Sequence, residues 1–268
     1  MLPTPVISSA DSDLKLPQKS WVTHWEIDTI LPWNYPVAES TQVNIPPTLI
    51  SQFCTLLSRD VYSEGDAQGF YDYLQGRDRQ PDRLDSFRLS STLKQVLPLW
   101  LADELSHYQA LRRVYQVISG MSETEINHRQ HQRRPNLTAI APVLVDEFTI
   151  VATFLFDEAG SMFSYRRDLR EFYQPLGRPF ARIAQRLVQD EGRHFRWFKQ
   201  VLLNHYGDRL GELPTTLKRI VQLEKSLGRY HATFLLDHAQ EMHRFPPDFS
   251  DQLVDWILAG FNFNALIK

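Results

Sequence analysis

A glutamate interrupts the apolar seam of each of four long segments with helical period, and this recurrence constrains the fold more than any other feature. In the first segment, Phe53, Leu57 and Val61 follow one another at four-residue steps and lead to Glu64. Apolar residues at this spacing share one face of a helix, and that face packs into a core. Burying an unpaired carboxylate is costly for a domain stable by only about 5–15 kcal/mol, so four buried glutamates require a compensating group.

Two of the segments present their glutamate together with a histidine. Glu104 precedes His107 and Glu191 precedes His194 by three residues, and apolar residues at helical spacing flank both pairs. Residues i and i+3 lie on one face of a helix, so each pair offers an oxygen and an imidazole nitrogen to a single point. The remaining segment carries Glu158 in the same position of its seam.

Together the four segments supply four carboxylates and two imidazoles. The predicted metal ligands are Glu64, Glu104, His107, Glu158, Glu191 and His194. This donor set is typical of a dinuclear iron or manganese centre in the core of a helical bundle. Zinc usually takes fewer ligands, and calcium does not favour imidazole. We therefore expect two metal ions, iron or manganese; buried salt bridges or solvated faces are the competing interpretation.

A third Glu-x-x-His pair has a different setting. Glu125 and His128 lie in the polar run before Pro135 without an apolar seam around them, and we expect them at the surface. The other histidines, among them His238, show no such spacing with a carboxylate in a seam, so surface or helix-end positions are predicted for them.

The chain has 268 residues, of which 43% are hydrophobic and 23% charged, as expected of one large globular domain. Residues 1–46 are rich in proline and tryptophan and lack helical period. Helices are predicted at about 47–75, 84–120, 138–173, 177–206, 213–227, 229–243 and 248–262. The predicted fold is all-α, with an N-terminal arm over 1–46 and a four-helix bundle with additional C-terminal helices over 47–268.

Charge and composition narrow the functional classes. The net charge of −3 argues against a nucleic-acid-binding protein, because phosphate binding needs positive charge. Cys54 is the only cysteine, which excludes an intrachain disulfide and a thiolate metal cluster and favours a reducing cytoplasm. No secretory signal is visible, and the longest apolar stretch, 139–156, contains Asp146 and Glu147, so we expect no membrane span.

The four glutamate-bearing segments also resemble a known family. The metal-binding helices of the soluble acyl-acyl carrier protein desaturases, members of the ferritin-like superfamily, are similar to ADELSHYQAL (102–111), FLFDEAGSMFSY (154–165) and QDEGRHFRWF (189–198). The first metal helix of that family resembles LLSRDVYSEGDAQGFYDYL (56–74), and the likeness covers roughly residues 25–205. It implies a ferritin-like diiron domain over 47–268 whose six predicted ligands hold iron, with Glu104 and Glu191 as bridging carboxylates.

The resemblance implies supporting roles for three further residues. Asp190 would hold a ligand histidine, and Trp100 lies one turn before the second ligand glutamate. Ser161 has the place of a hydroxyl residue, more often threonine in the family, that would deliver protons during oxygen reduction.

Gly160 lies mid-helix, where glycine is about 1 kcal/mol less favourable than alanine, and indicates a bend or a close approach to the backbone.

The resemblance further implies an enzyme that desaturates a fatty acyl chain carried on acyl carrier protein, using O2 and a ferredoxin-type electron donor, and that forms a homodimer. Because carrier proteins are acidic, a basic docking surface is expected. The candidates are Arg178, Arg182 and Arg186, or Arg129, Arg133 and Arg134, and ordinary solvated arginines are the alternative. Two other functions remain open: hydroxylation or N-oxygenation of a small metabolite at the same diiron centre, and non-catalytic iron storage or a helical scaffold.

Overall fold

The computed structural model describes residues 27–32, 35, 46–79, 88–238 and 244–261. In these ranges the chain forms nine α-helices and no β-strand, which confirms the predicted all-α fold. The helices are α1 (Ile27–Ile30), α2 (Pro47–Asp78), α3 (Ser91–Ser119), α4 (Glu123–Gln132), α5 (Glu147–Asp168), α6 (Gln174–Leu176), α7 (Arg178–His205), α8 (Leu213–Leu227) and α9 (Phe249–Ala259). Most of the predicted N-terminal arm lies outside the described residues.

Four long helices, α2, α3, α5 and α7, form the bundle. Helix α5 packs along α7 and α2 packs along α3, while contacts between α3 and α7 join the two pairs. The shorter helices α8 and α9 pack on each other and on α5, and α4 packs against α2 and α3. This arrangement turns the four glutamate-bearing seams towards a common core.

The core of the bundle is divided along its length into two apolar clusters. In α2, the buried residues of one cluster end at Val61 and those of the other begin at Ala67. In α7, the same change falls between Leu187 and Phe195. Glu64 lies in the first of these gaps, and Glu191 and His194 lie in the second. The two apolar clusters therefore flank a polar layer on both sides along the bundle.

The third predicted helix, 138–173, is interrupted near its start. Its first residues belong to a 3₁₀ helix, Leu137–Val143, and α5 begins only after Asp146. Pro142 lacks the amide hydrogen that a continuous α-helix would need. The Asp146 carboxylate accepts a hydrogen bond from the Thr149 amide at 2.8 Å and caps α5. A polar cap inside an apolar stretch therefore sets the start of this helix.

Two other boundaries differ from the prediction for local reasons. Helix α3 begins at Ser91, because the Ser90 side chain accepts a hydrogen bond from the Leu93 amide at 3.2 Å. Residues 88–90 precede it without helical geometry, and the predicted start at 84 lies outside the described residues. Helix α5 ends at Asp168, and a π-helical turn, Leu169–Tyr173, follows it in place of the predicted continuation to 173.

The predicted helix 229–243 is wrong over 229–238, an irregular segment that we call the strap. Positive φ angles of 55°, 67° and 61° occur at Ala232, Phe234 and Leu236. Such angles are incompatible with an α-helix and strain residues that carry a β-carbon. The Leu236 amide donates to both carboxylate oxygens of Asp157, at 3.2 and 3.0 Å. Contacts with α5 thus override the local helical pattern, and the rest of that prediction lies outside the described residues.

The polar run before Pro135 forms helix α4, although its polarity predicts a break. The Ser122 hydroxyl caps this helix by accepting a hydrogen bond from the Glu125 amide at 3.2 Å. Ile126 is buried, whereas Glu125 and His128 are exposed. The surface position predicted for this third Glu-x-x-His pair is therefore confirmed.

No single helix in the described ranges is long and apolar enough to cross a membrane. The 3₁₀ helix Leu137–Val143 and the segment Glu147–Leu176 reach the required length and apolar composition only together, and they meet at an angle of 105°. Most residues of α5, the main part of this pair, are buried.

We predict that Asp146→Ala lowers the free energy of unfolding by about 1 kcal/mol at pH 7, the usual loss on removal of an N-cap. Burial opposes ionisation of this carboxyl, but hydrogen bonds from Thr149 and Arg209 lower its pKa. A carboxyl whose pKa is lowered on folding stabilises the protein above its unfolded pKa, and this contribution disappears as the pH falls through the folded value. The difference between wild type and variant therefore shrinks at acidic pH.

Urea unfolding followed by circular dichroism at neutral and at acidic pH measures this difference. Asp208→Ala, which removes an exposed carboxylate, is the control. Equal losses of stability in the two variants at pH 7 would contradict the capping role of Asp146.

Candidate metal centre

The six side chains predicted as ligands meet in the polar layer between the two apolar clusters. Their exposed fractions range from 0% for the two histidines to 6% for Glu64. Their potential ligand atoms form two groups, and within each group the atoms lie within 4.8 Å of one another. One group is Glu64, Glu104, His107 and Glu191, and the other is Glu104, Glu158, Glu191 and His194. Buried groups of this kind could hold metal ions, and two carboxylates belong to both.

The two shared carboxylates each face both imidazoles. Glu104 places Oε2 at 3.1 Å from Nδ1 of His107 and Oε1 at 3.0 Å from Nδ1 of His194. Glu191 repeats this arrangement, with Oε1 and Oε2 each 3.4 Å from one of the same two nitrogens. The imidazole rings are 5.7 Å apart between centroids. Two neighbouring positions are thus surrounded by ligand atoms, with a carboxylate spanning them on either side.

The two outer carboxylates each have one imidazole neighbour and one aromatic hydrogen-bond donor. Glu64 places Oε2 at 3.7 Å from Nδ1 of His107, and its Oε1 accepts a hydrogen bond from the Tyr165 hydroxyl at 2.5 Å. Glu158 places Oε2 at 3.1 Å from Nδ1 of the other histidine, and its Oε1 accepts a hydrogen bond from the Trp100 indole N–H at 3.0 Å. Trp100, predicted to support the site, therefore contacts a glutamate of α5 rather than the one on its own helix.

Each of the two ligand imidazoles also contacts an aspartate through its other ring nitrogen. Nε2 of His107 lies 3.3 Å from Oδ2 of Asp190, and Nε2 of His194 lies 3.2 Å from Oδ2 of Asp103. The pairing is crosswise, because each aspartate precedes the glutamate of one helix and contacts the histidine of the other. Arg193 joins the two aspartates, with Nη2 at 2.7 Å from Asp103 and 2.6 Å from Asp190. Asp190 thus lies where it can hold a ligand histidine.

Sequence reasoning did not single out three of these supporting residues. Asp103 could have been found from the repeat of Asp-Glu-x-x-His, since the same acidic pair precedes both histidines, and Arg193 lies directly before the second of them. Tyr165 lies seven residues after Glu158, about two turns further along the same face of α5. In each case the signal was a position relative to a ligand rather than a motif of its own.

The pKa values of the ligand glutamates show that the buried layer lacks compensating positive charge. Burial, reinforced by the negative charge of Glu64, raises the pKa of Glu104 to about 8. Burial also raises the pKa of Glu191 well above its usual range, with the charges of Glu104 and Glu158 acting in the same direction. For Glu64, hydrogen bonds with its neighbours outweigh burial and lower the pKa to about 2. Some carboxylates can therefore be charged here only when others are neutralised.

The histidines respond to the same crowding. Burial disfavours a charged imidazole, but the nearby carboxylates, Glu104 foremost, raise the pKa of His107 well above its usual value. The pKa of His194 is raised in the same way, with Glu158 as the largest opposing charge. Protons and metal ions compete for such atoms, so a cation bound here would displace protons.

The residues present could hold metal ions. No described residue donates a hydrogen bond of normal geometry to Oε2 of Glu64 or to Oε1 of Glu104, although both atoms are buried. Each imidazole turns Nδ1 towards the carboxylates and Nε2 towards an aspartate, the orientation in which an outer carboxylate fixes a ligand histidine. The set of oxygen and imidazole donors is one that iron and manganese accept.

The third predicted supporting residue, Ser161, faces a small cavity beside the layer. This cavity is also lined by Glu64, Glu104, Glu158 and Glu191, and by Ser63, Asp157, Phe234 and Asp237. The Ser161 hydroxyl lies 3.2 Å from Nε2 of His238, a residue of the strap. His238 is only 6% exposed, so the surface position predicted for it is wrong.

Gly160 explains how the strap approaches α5 so closely. A β-carbon at this position would lie 2.9 Å from Cε1 of His238, closer than such atoms pack. The mid-helix glycine thus marks a close approach to the backbone, as its position suggests, and the approaching group is an imidazole of the same chain.

Comparison of the chain with protein-family models, with curated proteins and with solved structures finds no match. The likeness to desaturases therefore rests on the four sequence motifs, and the interpretation of the site rests on its geometry.

We predict that Asp103→Asn and Asp190→Asn each weaken metal binding by about 10- to 100-fold, because each removes the charge that orients a ligand histidine. Competition between the metal-free protein and a chelator for Mn²⁺ measures this loss. Asp208→Asn, which alters an exposed carboxylate, is the matched control. Unchanged affinity in both buried variants would contradict the role assigned to the crosswise aspartates.

Proposed function

We propose that the protein is a diiron oxidoreductase that uses O2 to insert a double bond into a fatty acyl chain carried on acyl carrier protein. The observation that carries this proposal is the pair of carboxylates, Glu104 and Glu191, that each face both imidazoles. Such bridging positions, with one further glutamate and one histidine on either side, suit two iron ions, with manganese as an alternative for one. The motif likeness supports the acyl substrate.

Each ion would have its own pair of ligands in addition to the two shared carboxylates. Glu64 and His107 would hold one ion, and Glu158 and His194 the other. When bound, the two ions supply the redox chemistry that activates O2. The protein supplies orientation and a dry surrounding, because every ligand side chain is buried between the two apolar clusters.

The overall reaction balances with a ferredoxin-type donor. Two hydrogen atoms leave adjacent methylenes of the acyl chain, and a double bond forms between their carbons. O2 accepts these two hydrogen atoms together with two electrons from the donor and two protons from solvent, which gives two water molecules. The Ser161 hydroxyl, which lines the cavity and contacts Nε2 of His238, would hand a proton into it.

An apolar wall adjoins the carboxylate layer on the side of Glu158. Trp100 packs edge to face against Phe154 and Phe234, with ring centroids 5.0 and 4.9 Å apart. Phe234 belongs to the strap and also lines the cavity. An acyl chain would therefore lie against these rings, and its entry would require the strap to move, as lids do in many enzymes.

An acidic carrier protein would dock most readily on α7. Arg178 and Arg182 are exposed there at four-residue spacing. In the other candidate cluster, Arg129 pairs with Glu125 at 2.9 Å, and Arg133 forms a salt bridge of 2.6 Å with Asp66. Arg129 and Arg133 of that second cluster are therefore engaged in ion pairs within the chain. A cytoplasmic location, favoured by the single cysteine, and a homodimer, implied by the likeness, belong to the same proposal.

A second candidate is a diiron oxygenase that hydroxylates or N-oxygenates a small metabolite. The specific observation in its favour is the polar lining of the cavity beside the ligands, where Ser63, Asp157 and Asp237 lie close to the ligand glutamates. These groups suit a polar substrate better than a methylene chain. Iron storage fits less well, because both halves of the site carry a complete Glu-x-x-His pair.

We predict that the double variant Glu104→Ala/Glu191→Ala binds two fewer ferrous ions per chain than the wild type, because it removes both shared carboxylates. Anaerobic titration of the metal-free protein, followed by iron analysis, measures the difference. The oxidised wild type should also show an iron charge-transfer absorption that the double variant lacks. Glu125→Ala, in the exposed Glu-x-x-His pair, is the control, and iron binding by the double variant equal to that of this control would refute the diiron assignment.

Mass spectrometry of the product separates the two candidate reactions. We expect the reduced protein, supplied with O2, a ferredoxin-type donor and acyl carrier protein substrates, to yield an acyl chain that has lost two hydrogen atoms. Gain of one oxygen atom would instead favour the oxygenase. An unaltered acyl chain, with iron bound and O2 consumed, would exclude acyl carrier protein substrates.

A further inference from the structure

A second cluster of potential ligands lies between α5, α8 and the strap. Asp157, Glu224 and His238 contribute one atom each to a group in which all atoms lie within 4.8 Å of one another. Their exposed fractions are 4%, 0% and 6%. None of the three belongs to the six predicted ligands of the candidate metal centre, which we call the main centre, although Asp157 is the neighbour of Glu158 in sequence.

The spacing within this cluster is that of ligands around one cation. Nδ1 of His238 lies 3.8 Å from Oδ1 of Asp157 and 3.8 Å from Oε1 of Glu224. These distances are too long for hydrogen bonds. Ligands that each bind a metal ion at about 2.0–2.2 Å lie roughly 3–4 Å from one another. The atoms are therefore separated as if a small cation were to fit between them.

The cluster also contains buried polar atoms without partners. The Glu224 side chain is 0% exposed, and the backbone amide of His238 is a neighbouring donor, but that contact lacks the geometry of a normal hydrogen bond to either carboxylate oxygen. Nδ1 of His238 has no hydrogen-bond partner among the described residues either, although Oδ1 of Asp237 lies 3.1 Å away. Two ligands from different elements thus point unsatisfied atoms at the same space, which is the situation a bound cation resolves.

The surrounding groups hold the cluster in place. The Leu236 amide donates to both oxygens of Asp157, and the Ser161 hydroxyl contacts Nε2 of His238, which directs Nδ1 towards the carboxylates. Oδ2 of Asp237 accepts a hydrogen bond from the Ser63 hydroxyl at 2.5 Å, which leaves Oδ1 near the cluster.

We propose that Asp157, Glu224 and His238 bind one divalent transition-metal ion in a site separate from the main centre. One imidazole nitrogen and two carboxylate oxygens suit Zn²⁺, Mn²⁺ or Fe²⁺. The ion would tie the strap to α5 and α8 and compensate the strained backbone at Phe234 and its neighbours. It would therefore hold the strap closed over the cavity of the main centre.

The test compares Zn²⁺ bound per chain by the wild type, by Glu224→Gln and by the control Glu125→Gln after equilibrium dialysis. Glutamine has nearly the shape of glutamate, so the variant removes the ligand charge without opening a cavity. We expect Glu224→Gln to bind one Zn²⁺ fewer than the other two proteins. If it does not fold, as judged by circular dichroism, His238→Gln provides the same comparison, because its side chain lies in the strap outside the bundle helices.

A second measurement reports on the strap itself. Hydrogen exchange at the amides of Phe234 and Leu236 should slow at least tenfold when Zn²⁺ is added to the wild type and should not change in Glu224→Gln. The double variant Glu104→Ala/Glu191→Ala should keep the extra ion, so failure of the main centre and failure of this site give different results.

Equal Zn²⁺ binding by wild type and Glu224→Gln, with no change in exchange, would overturn the proposal. Glu224 would then be a protonated acid, since burial and the charge of Asp237 raise its pKa to about 8 against the opposing hydrogen bond from the His238 amide.

Discussion

The demand for positive charge in one buried layer is the constraint on which the rest of this structure depends. Four helices each direct a glutamate into the same buried layer, and apolar clusters flank it on both sides. In such surroundings like charges cannot coexist without compensation. The raised pKa values of Glu104 and Glu191 and of both histidines are consequences of that crowding. A pair of metal ions would meet the same demand with ligands already in place.

The crosswise aspartates connect this electrostatic requirement to the packing of the bundle. Asp103 on α3 contacts the histidine of α7, and Asp190 on α7 contacts the histidine of α3. Arg193 binds both aspartates, so the axial position of one helix relative to the other is set by charged contacts on the outer side of the site. The two aspartates and Arg193 thus orient the ligand histidines and also align α3 with α7.

The strap shows how a local pattern gives way to tertiary contacts. Its residues read as a helix from their spacing, yet the chain adopts positive φ angles at three positions, and Asp157 binds one of its amides. Gly160 makes room for His238 against α5, which brings a third imidazole and a second cluster of potential ligands next to the main centre. Neither the φ angles nor this approach can be read from periodicity, because both depend on residues far apart in sequence.

The sequence by itself determined the all-α class, the four long helices and the six buried donors, because helical period decides which residues share a face and a buried carboxylate interrupts that face visibly. It also identified the exposed pair Glu125 and His128 as unrelated to the site. Only the tertiary structure decided which carboxylates face both imidazoles, which aspartate contacts which histidine, and where the strap runs. Period specifies the face of a helix but not its axial offset or rotation against a neighbour, and those quantities depend on packing between distant segments.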